Sequence, residues 1–485
     1  GMFDSQNGFY LEYDGQALYA VKRSSTYQLS GVVSITNGVQ SVTGTSTKFV
    51  SQLIPGDFVV IRGQSYLVQQ VTSDSQIYIY PEYRGITSSN VVMSKTINTR
   101  YIGPNLLSLT NTWNIDKMDG TGASNYNIDL TKMQMVYIDY TWYGAGAIRF
   151  GFKNNRGEVI YSHRIPNNNV NQEAYMRSGN LVARYEVNHL PPYTILTATL
   201  ASGVTSSMTV SDASLFPPSG TVILTQAAAT GAVIEYISYA SKSGNVLNTL
   251  TRNVTGGTPT ATTFTYSTTA HIKVELYAPQ AAGTLSHWGS SVIMDGRFDD
   301  DKSFVFNYGN TATQTFATQG VRYPVFSIRI APSVDSGLTG LIGGREIINR
   351  MQLQPASCGV FATAATPVKV DLVLNGRVTS SANPFIAVGG SSLVQVANHG
   401  TTASIAGGEI IYTFFAPAGS VSTQDLSRMR DLGNSILGGG NTFSVPTTPA
   451  NIYPDGPDIL TLCVTPLSAA NAVVAARINW TEAQA

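Results

Sequence analysis

Charge is what this chain of 485 residues has least of: only 12% of its residues are Asp, Glu, Lys or Arg, about half the roughly 25% usual in soluble domains. Lys and Arg total 29 and Asp and Glu total 29, for a formal net charge of +0. Such a surface offers no electrostatic footprint for nucleic acid or for an anionic membrane. It also gives little repulsion between copies, which suits a protein that ends up inside an assembly. Cysteine is nearly absent. Cys358 and Cys463 cannot make a disulfide framework or a metal cluster. They could pair with each other, but two buried thiols is the expectation. No run approaches the roughly 20 apolar residues of a membrane-spanning helix, so no membrane insertion is expected. The opening GMFDSQNGFYLEYDG lacks the basic-then-apolar pattern of a signal peptide. Synthesis in a cytoplasm, without export by that route, is therefore expected.

Chemical motifs are also missing. There is no GxSxG elbow, Walker loop or dinucleotide fingerprint. His163, His189, His271, His287 and His399 show none of the spacings that mark zinc sites. Gly438, Gly439 and Gly440 follow an expected helix instead of opening one, so they cannot cradle a phosphate. Glu158, Glu173 and Asp139 are candidates for a glycosidase carboxylate pair, which needs a defined separation, but acidic residues on a sandwich are mostly solvated. Asp299, Asp300 and Asp301 are the best candidates for a hard cation. They lack the glycine and distal glutamate of a full calcium loop, so a solvated turn is the plainer reading. The expectation is a protein with no cofactor and no catalytic residue, and not an enzyme.

What the chain does have is 45 Gly, 25 Tyr and 18 Phe with abundant Val, Ile and Thr, a composition for strands and turns. It is too long for one core. The most informative stretch is 132–152, KMQMVYIDYTWYGAGAIRFGF. Val136, Ile138, Tyr140 and Trp142 alternate onto one face, as do Ile148, Phe150 and Phe152 after the glycine corner. This predicts a central hairpin with Trp142 and Phe150 buried. The four tryptophans and the many tyrosines are expected in core and subunit contacts more than in a ligand platform.

Elsewhere, Asp14-Gly15 between two apolar runs signals a hairpin over 9–23. From residue 31, five or six short strands at close spacing predict a small barrel. A second stretch, 194–269, repeats its order of features. PPSGTVILT (217–225) parallels LIPGDFVVI (53–61), IEYISYASKSGNVLNTL parallels YLVQQVTSDSQIYIY, and TRNVTGG parallels PEYRG. An internal repeat and two independent modules of similar design both account for this. One helix is expected near 423–437, capped by Ser422 or Thr423 and stopped by the glycines at 438–440. The fold expected is all-β: a main antiparallel, jelly-roll-like β-sandwich from 1–30, 98–192 and 270–335. Two small β-barrels are inserted at 31–97 and 193–269, and a second β-sandwich with the helix occupies 336–485.

The strings DYTWYGAGAIRFGFKNNRGEVIYSHRI (139–165), EAYMRSGNLVARYEV (173–187), HWGSSVIMDGRFDDDKSF (287–304) and YPDGPDILTL with ARINWTEAQA near the end resemble a family of virion structural proteins of tailed bacteriophages, particularly large marine and cyanobacterial ones. The resemblance covers most of the expected main sandwich and the last thirty or so residues. It implies a place in the virion, assembled in the host cytoplasm, with other virion proteins and further copies of the chain as partners. It leaves the position open among tail, baseplate, fibre and head, and it carries no catalytic or binding residues. Two rivals remain. One is a receptor-binding or carbohydrate-binding tail protein that recognises a host surface glycan. The other is a polysaccharide depolymerase, against which the missing β-helix repeats and acid pair count.

Overall fold

The computed structural model describes the whole chain except residues 84–86, 107–108, 142–143, 172–173, 176–180, 182, 188–190, 227–232, 255–264, 268–270, 278–284, 294–303, 332–340, 343–344, 347–351, 364–365, 379–384, 390, 427–457, 469–470 and 484–485. The chain is all-β. Among the described residues the single α-helix is one turn, Phe49–Gln52. No described helix is long and apolar enough to cross a membrane.

The N-terminal part is built around two long strands, Ala17–Gln28 and Met93–Asn105. They pair antiparallel from Asn105↔Ala17 to Ser94↔Gln28, with two register shifts. Gly8–Tyr13 and then Met2–Phe3 add to the outer side of the first, and Phe58–Ile61 adds to the second. The result is one ten-stranded sheet that runs on through Gln64–Ser73, Gln76–Tyr80, Ser41–Thr45, Val32–Ile35 and Ser88–Val91. The stretch expected as an inserted barrel therefore shares its sheet with the flanking segments. Its core is nevertheless its own: Val33, Val42, Phe49, Val59, Ile61, Tyr66, Ile77 and Ile79 form one buried cluster. Phe9, Leu18 and Ala20 belong to a different one.

That second cluster joins the first twenty residues to Trp113, Met118, Ile148, Phe150, Phe152 and Ile165. The hairpin expected over 132–152 forms from Val136 onward, but its first strand lies at the edge of a three-stranded sheet and not at the centre of a larger one. Val136–Tyr140 pairs with Ile148–Lys153, which pairs with Val159–Ile165. Ile148, Phe150 and Phe152 face the core, as their alternation requires. Trp142 lies outside the described residues. Trp113 stacks on Phe152 with centroids 6.2 Å apart, and its indole Nε1 donates to the Tyr101 carbonyl at 3.1 Å. Gly103 permits this, because a Cβ there would stand 2.3 Å from the indole.

The second module is a six-stranded sheet in the order Tyr193–Ile195, Lys273–Tyr277, Gly220–Gln226, Val233–Ser243, Val246–Thr251, Ser207–Thr209. From Lys273–Tyr277 onward this order matches that of the first module, from Met93–Asn105 through Phe58–Ile61, Gln64–Ser73 and Gln76–Tyr80 to Ser41–Thr45. The registers match too. Val59↔Tyr66 and Ile61↔Gln64 correspond to Val222↔Ile237 and Leu224↔Glu235. The parallel drawn from sequence is thus off by one residue here, since it sets Val59 against Ile223.

The described residues between 304 and 483 make a two-sheet sandwich. One sheet has the order Phe304–Gly309, Ala472–Ala483, Gln352–Ala362, Ser420–Asp425. The other has Ile386–Ala387, Val394–Asn398, Tyr323–Ile330, Ile459–Pro466, Val368–Leu374, Glu409–Ala416. Their inner faces share a core with Trp480, Phe316, Phe326, Val370 and Leu462.

Three expectations are corrected. First, 270–335 does not return to the main sandwich. Lys273–Tyr277 is a strand of the second module, and Phe304–Gly309 and Tyr323–Ile330 pair with C-terminal strands. Alternation identified these strands, but it carries no information about which distant edge each one joins. Second, residues 287–293, inside the 270–335 span expected to belong to the main sandwich, form no strand. Third, the expected helix does not begin at Thr423. Thr423, Gln424 and Asp425 are strand residues paired with Gly359, Cys358 and Ser357, because their ladder with a central strand satisfies more backbone than a cap would. The rest of the expected helix, with its glycine stop, lies outside the described residues.

Candidate functional site

Among the described residues, an open concavity of about 680 Å³ lies between the first module and Phe385 of the C-terminal sandwich. The Val32–Ile35 and Ser41–Thr45 hairpin supplies Ser34, Ser41 and Thr43, and the neighbouring strand supplies Ser88 and Ser89. Arg62 comes from the two-residue turn between paired Ile61 and Gln64. Its φ of +49°, with Gly63 at +77°, fits a type I′ hairpin. The buried Arg62 guanidinium donates to Ser88 Oγ at 2.7 Å. Phe385 closes the far wall, its ring centroid 4.1 Å from the Arg329 guanidinium carbon. Arg329 is fixed in turn by Gln395 at 3.1 Å. Outside this lining, Arg377 of the sandwich reaches Glu82 of the first module at 3.4 Å. The lining is rich in hydroxyls with one aromatic face. It can hydrogen-bond and stack, and its described lining residues include no nucleophile–base pair.

Several polar groups that resemble chemistry are buried instead. Ser327 Oγ lies 2.7 Å from His399 Nε2 and 2.8 Å from Thr461 Oγ1. This is the spacing of a nucleophile and base, but all three residues are buried and His399 Nδ1 has no partner among the described residues. Burial pushes the His399 pKa down to about 4. The group joins three adjacent strands inside the sandwich. In the second module Arg252 and Glu235 form a buried bidentate pair, with Arg252 Nη2 donating to Glu235 Oε2 at 2.8 Å. Arg252 also donates to the Ala201 carbonyl at 3.2 Å. Burial first, and then the Glu235 charge, raise the Tyr266 pKa. Glu482, fully buried, accepts from Trp480 Nε1 at 2.9 Å, from the Leu393 amide at 2.9 Å and from Ser392.

Among the described residues, those singled out from sequence do not converge. Asp139 is held by Arg149, with Nε–Oδ1 at 3.0 Å, and by the Tyr161 hydroxyl at 3.0 Å. Glu158 sits at the Asn154–Gly157 turn, accepting from Asn154 Nδ2 at 2.8 Å. Asp139 is opposite Arg149, while Val159 is opposite Lys153. Glu158 lies one residue beyond Val159, so the two backbone positions are five residues apart along the sheet, roughly 16 Å, which does not bring the carboxylates together as a glycosidase pair. Glu173, His189, Asp299, Asp300, Asp301 and the glycines at 438–440 lie outside the described residues.

His163 is buried against Tyr101 at 4.5 Å, and burial followed by Lys117 lowers its pKa to about 4. His271 Nδ1 contacts the Leu53 carbonyl at 3.1 Å, and His287 stacks on Tyr185 at 3.9 Å. Among the described residues no three His, Cys, Asp or Glu converge to hold a metal. Cys358 and Cys463 are free and buried, and burial pushes the Cys358 thiol up to about 12.

Exposed apolar surface is the feature that sequence reading missed. Residues 285–293 run without secondary structure and leave Trp288 82% and Ile293 88% exposed. Just before the edge strand Val136–Tyr140, Met133 and Met135 are 74% and 60% exposed. Their phase was legible, because they alternate with the core face of that strand. Their lack of a cover was not.

No protein-family model matches the chain, and no curated protein matches it. Among solved structures it is similar to the subunit of infectious bursal virus-derived T=1 particles, over 72% of this chain and 78% of that one, at 12% identity and a TM-score of 0.12. It is similar also to the infectious bursal disease virus VP2 subviral particle, over 73% and 82%, at 13% identity and a TM-score of 0.12. Superpositions this loose carry no argument about fold or function.

Proposed function

We propose that this chain is a structural component of a tailed-phage virion, in the tail or baseplate region, acting by self-association and by docking to neighbouring virion proteins. The observation that carries the reading is the extended apolar segment at 285–293, which leaves Trp288 and Ile293 in solvent on an isolated chain. Exposed apolar surface of this kind marks a contact surface, and a neutral chain places no charge barrier against covering it. The sequence strings quoted above support the virion as the setting. Assembly in the host cytoplasm belongs to the same reading, and no catalytic step does. The test is mass spectrometry of purified virions from a phage that encodes the chain. Its peptides are expected at structural stoichiometry, and their absence from the particle overturns the proposal.

The cleft favours one second reading, recognition of a host surface glycan. Serine and threonine hydroxyls beside an aromatic ring suit a neutral polyhydroxylated ligand. A glycan array probed with the full chain tests it. Saturable binding that Phe385→Ala weakens would promote this reading, and a blank array would remove it.

A further inference from the structure

We propose that the outer edge of the Val136–Tyr140 strand pairs antiparallel with the same strand of a second copy across a two-fold axis, Ile138 opposite Ile138. Two three-stranded sheets thereby join into one. The inference rests on the self-association reading above and names a surface for it separate from residues 285–293.

The hydrogen-bond parity sets which backbone groups are available. Val136↔Phe152 through Tyr140↔Ile148 is an unbroken register. The Lys153 amide donates to the Met135 carbonyl at 2.9 Å, which makes 135 and 153 a hydrogen-bonded pair. Such pairs alternate along an antiparallel ladder, so Tyr137 and Asp139 turn their backbone groups inward. Val136, Ile138 and Tyr140 turn theirs outward. Among the described residues no strand takes up that outer edge. The opposite side of the sheet is closed differently, since the Ile115 and Asp116 amides both donate to the Ser162 carbonyl, at 3.1 and 3.0 Å.

Natural sheet edges are usually guarded by charge, proline or a bulge. This edge has no proline and no register shift against its neighbour. Its one charge, Asp139, is already neutralised by Arg149. Lys132, just upstream, is paired with Asp129 at 2.9 Å. Met133, Met135, Val136 and Tyr137 are all exposed.

The two-fold register also places compatible side chains opposite one another. Val136 meets Tyr140 of the second copy, a β-branched residue against an aromatic one, and Ile138 meets itself. On the other face Tyr137 meets Asp139, a hydroxyl donor against a carboxylate, and no like charges stand directly opposite. Three outward pairs would exchange about six backbone hydrogen bonds. Because both copies use one patch, the contact closes after two.

The mass of the full chain, followed by sedimentation from low to high micromolar concentration, tests this. The wild type is expected to dimerise. Val136→Lys places a charge on the edge at an exposed position, and Ile138→Pro removes an outward N–H without touching the inner ladder. Both are expected to shift the chain to monomer with an unchanged circular dichroism spectrum. If Ile138→Pro fails to fold, Val136→Lys decides alone. Association that persists in a folded Val136→Lys variant overturns this interface and leaves self-association standing. A wild type that stays monomeric throughout overturns the interface and counts against self-association as well.

Discussion

Two buried histidines are expected to contribute to the acid sensitivity of this protein. His163 and His399 are buried, with pKa values held to about 4, against about 6.5 in an unfolded chain. The unfolded chain therefore binds protons first as the pH falls. The histidines' contribution to stability is expected to be full above about pH 6.5 and to be lost as the pH drops from there towards 4, by at most about 3 kcal/mol for each. Urea midpoints are expected to fall steeply between pH 6.5 and 4.5, and His163→Phe is expected to flatten part of that slope. A slope unchanged by His163→Phe would remove His163 from the account. Glu235 gives a second residue-scale prediction. Glu235→Gln leaves Arg252 buried without its counter-charge and should cost about 3–5 kcal/mol, read from denaturant midpoints. Replacing both partners with apolar residues of similar volume should cost much less. Neither cluster was legible in the sequence. His399 and Ser327 stand 72 positions apart, and no spacing rule connects them. Burial of Phe150 was legible, because it follows from alternation on a single strand.

At the scale of elements, local chemistry was read well and pairing was not. Val368–Leu374 alternates in sequence and is a strand with those bounds. Asp14-Gly15 makes its turn, with Asp14 Oδ1 accepting from the Gln16 and Ala17 amides at 3.0 and 2.8 Å. The error at Thr423 came from capping residues that also suit a strand with polar side chains on its outer face. The misplaced strands at 273–309 came from partners far away in the chain. The repeat was visible in order but not in register, because buried positions fix the register and sequence similarity here is low. One consequence of the match is that buried Gln64 and buried Glu235 occupy equivalent sites. The first module satisfies this position with the Tyr66 hydroxyl at 2.7 Å, and the second with Arg252. The strand at Gly103 yields a further prediction. Gly103→Ala drives a methyl into the Trp113 indole, and overpacking of this kind should cost about 1–3 kcal/mol. Thermal melting would show it as a lowered midpoint, and an unchanged midpoint would mean that the indole moves aside freely.

At the scale of the molecule, the parts touch through few charges. The His271 amide donates to the Val71 carbonyl at 2.8 Å, joining the two modules, and Arg377–Glu82 joins the first module to the sandwich. With so little charge in the chain, self-association should depend weakly on ionic strength. The dimer dissociation constant is expected to change less than about threefold between low and high salt, because screening acts on charged contacts. A drop in affinity of ten-fold or more would place ion pairs at the centre of the contact.

The strands Ala17–Gln28 and Met93–Asn105 serve two hydrophobic cores with one ladder. A tension applied to the first module along those strands meets their interstrand bonds side-on. The bonds must then fail together in shear and cannot be unzipped one at a time. The joint between the first module and the body of the chain is thereby built to carry load in the direction of its strands and to yield most readily across them.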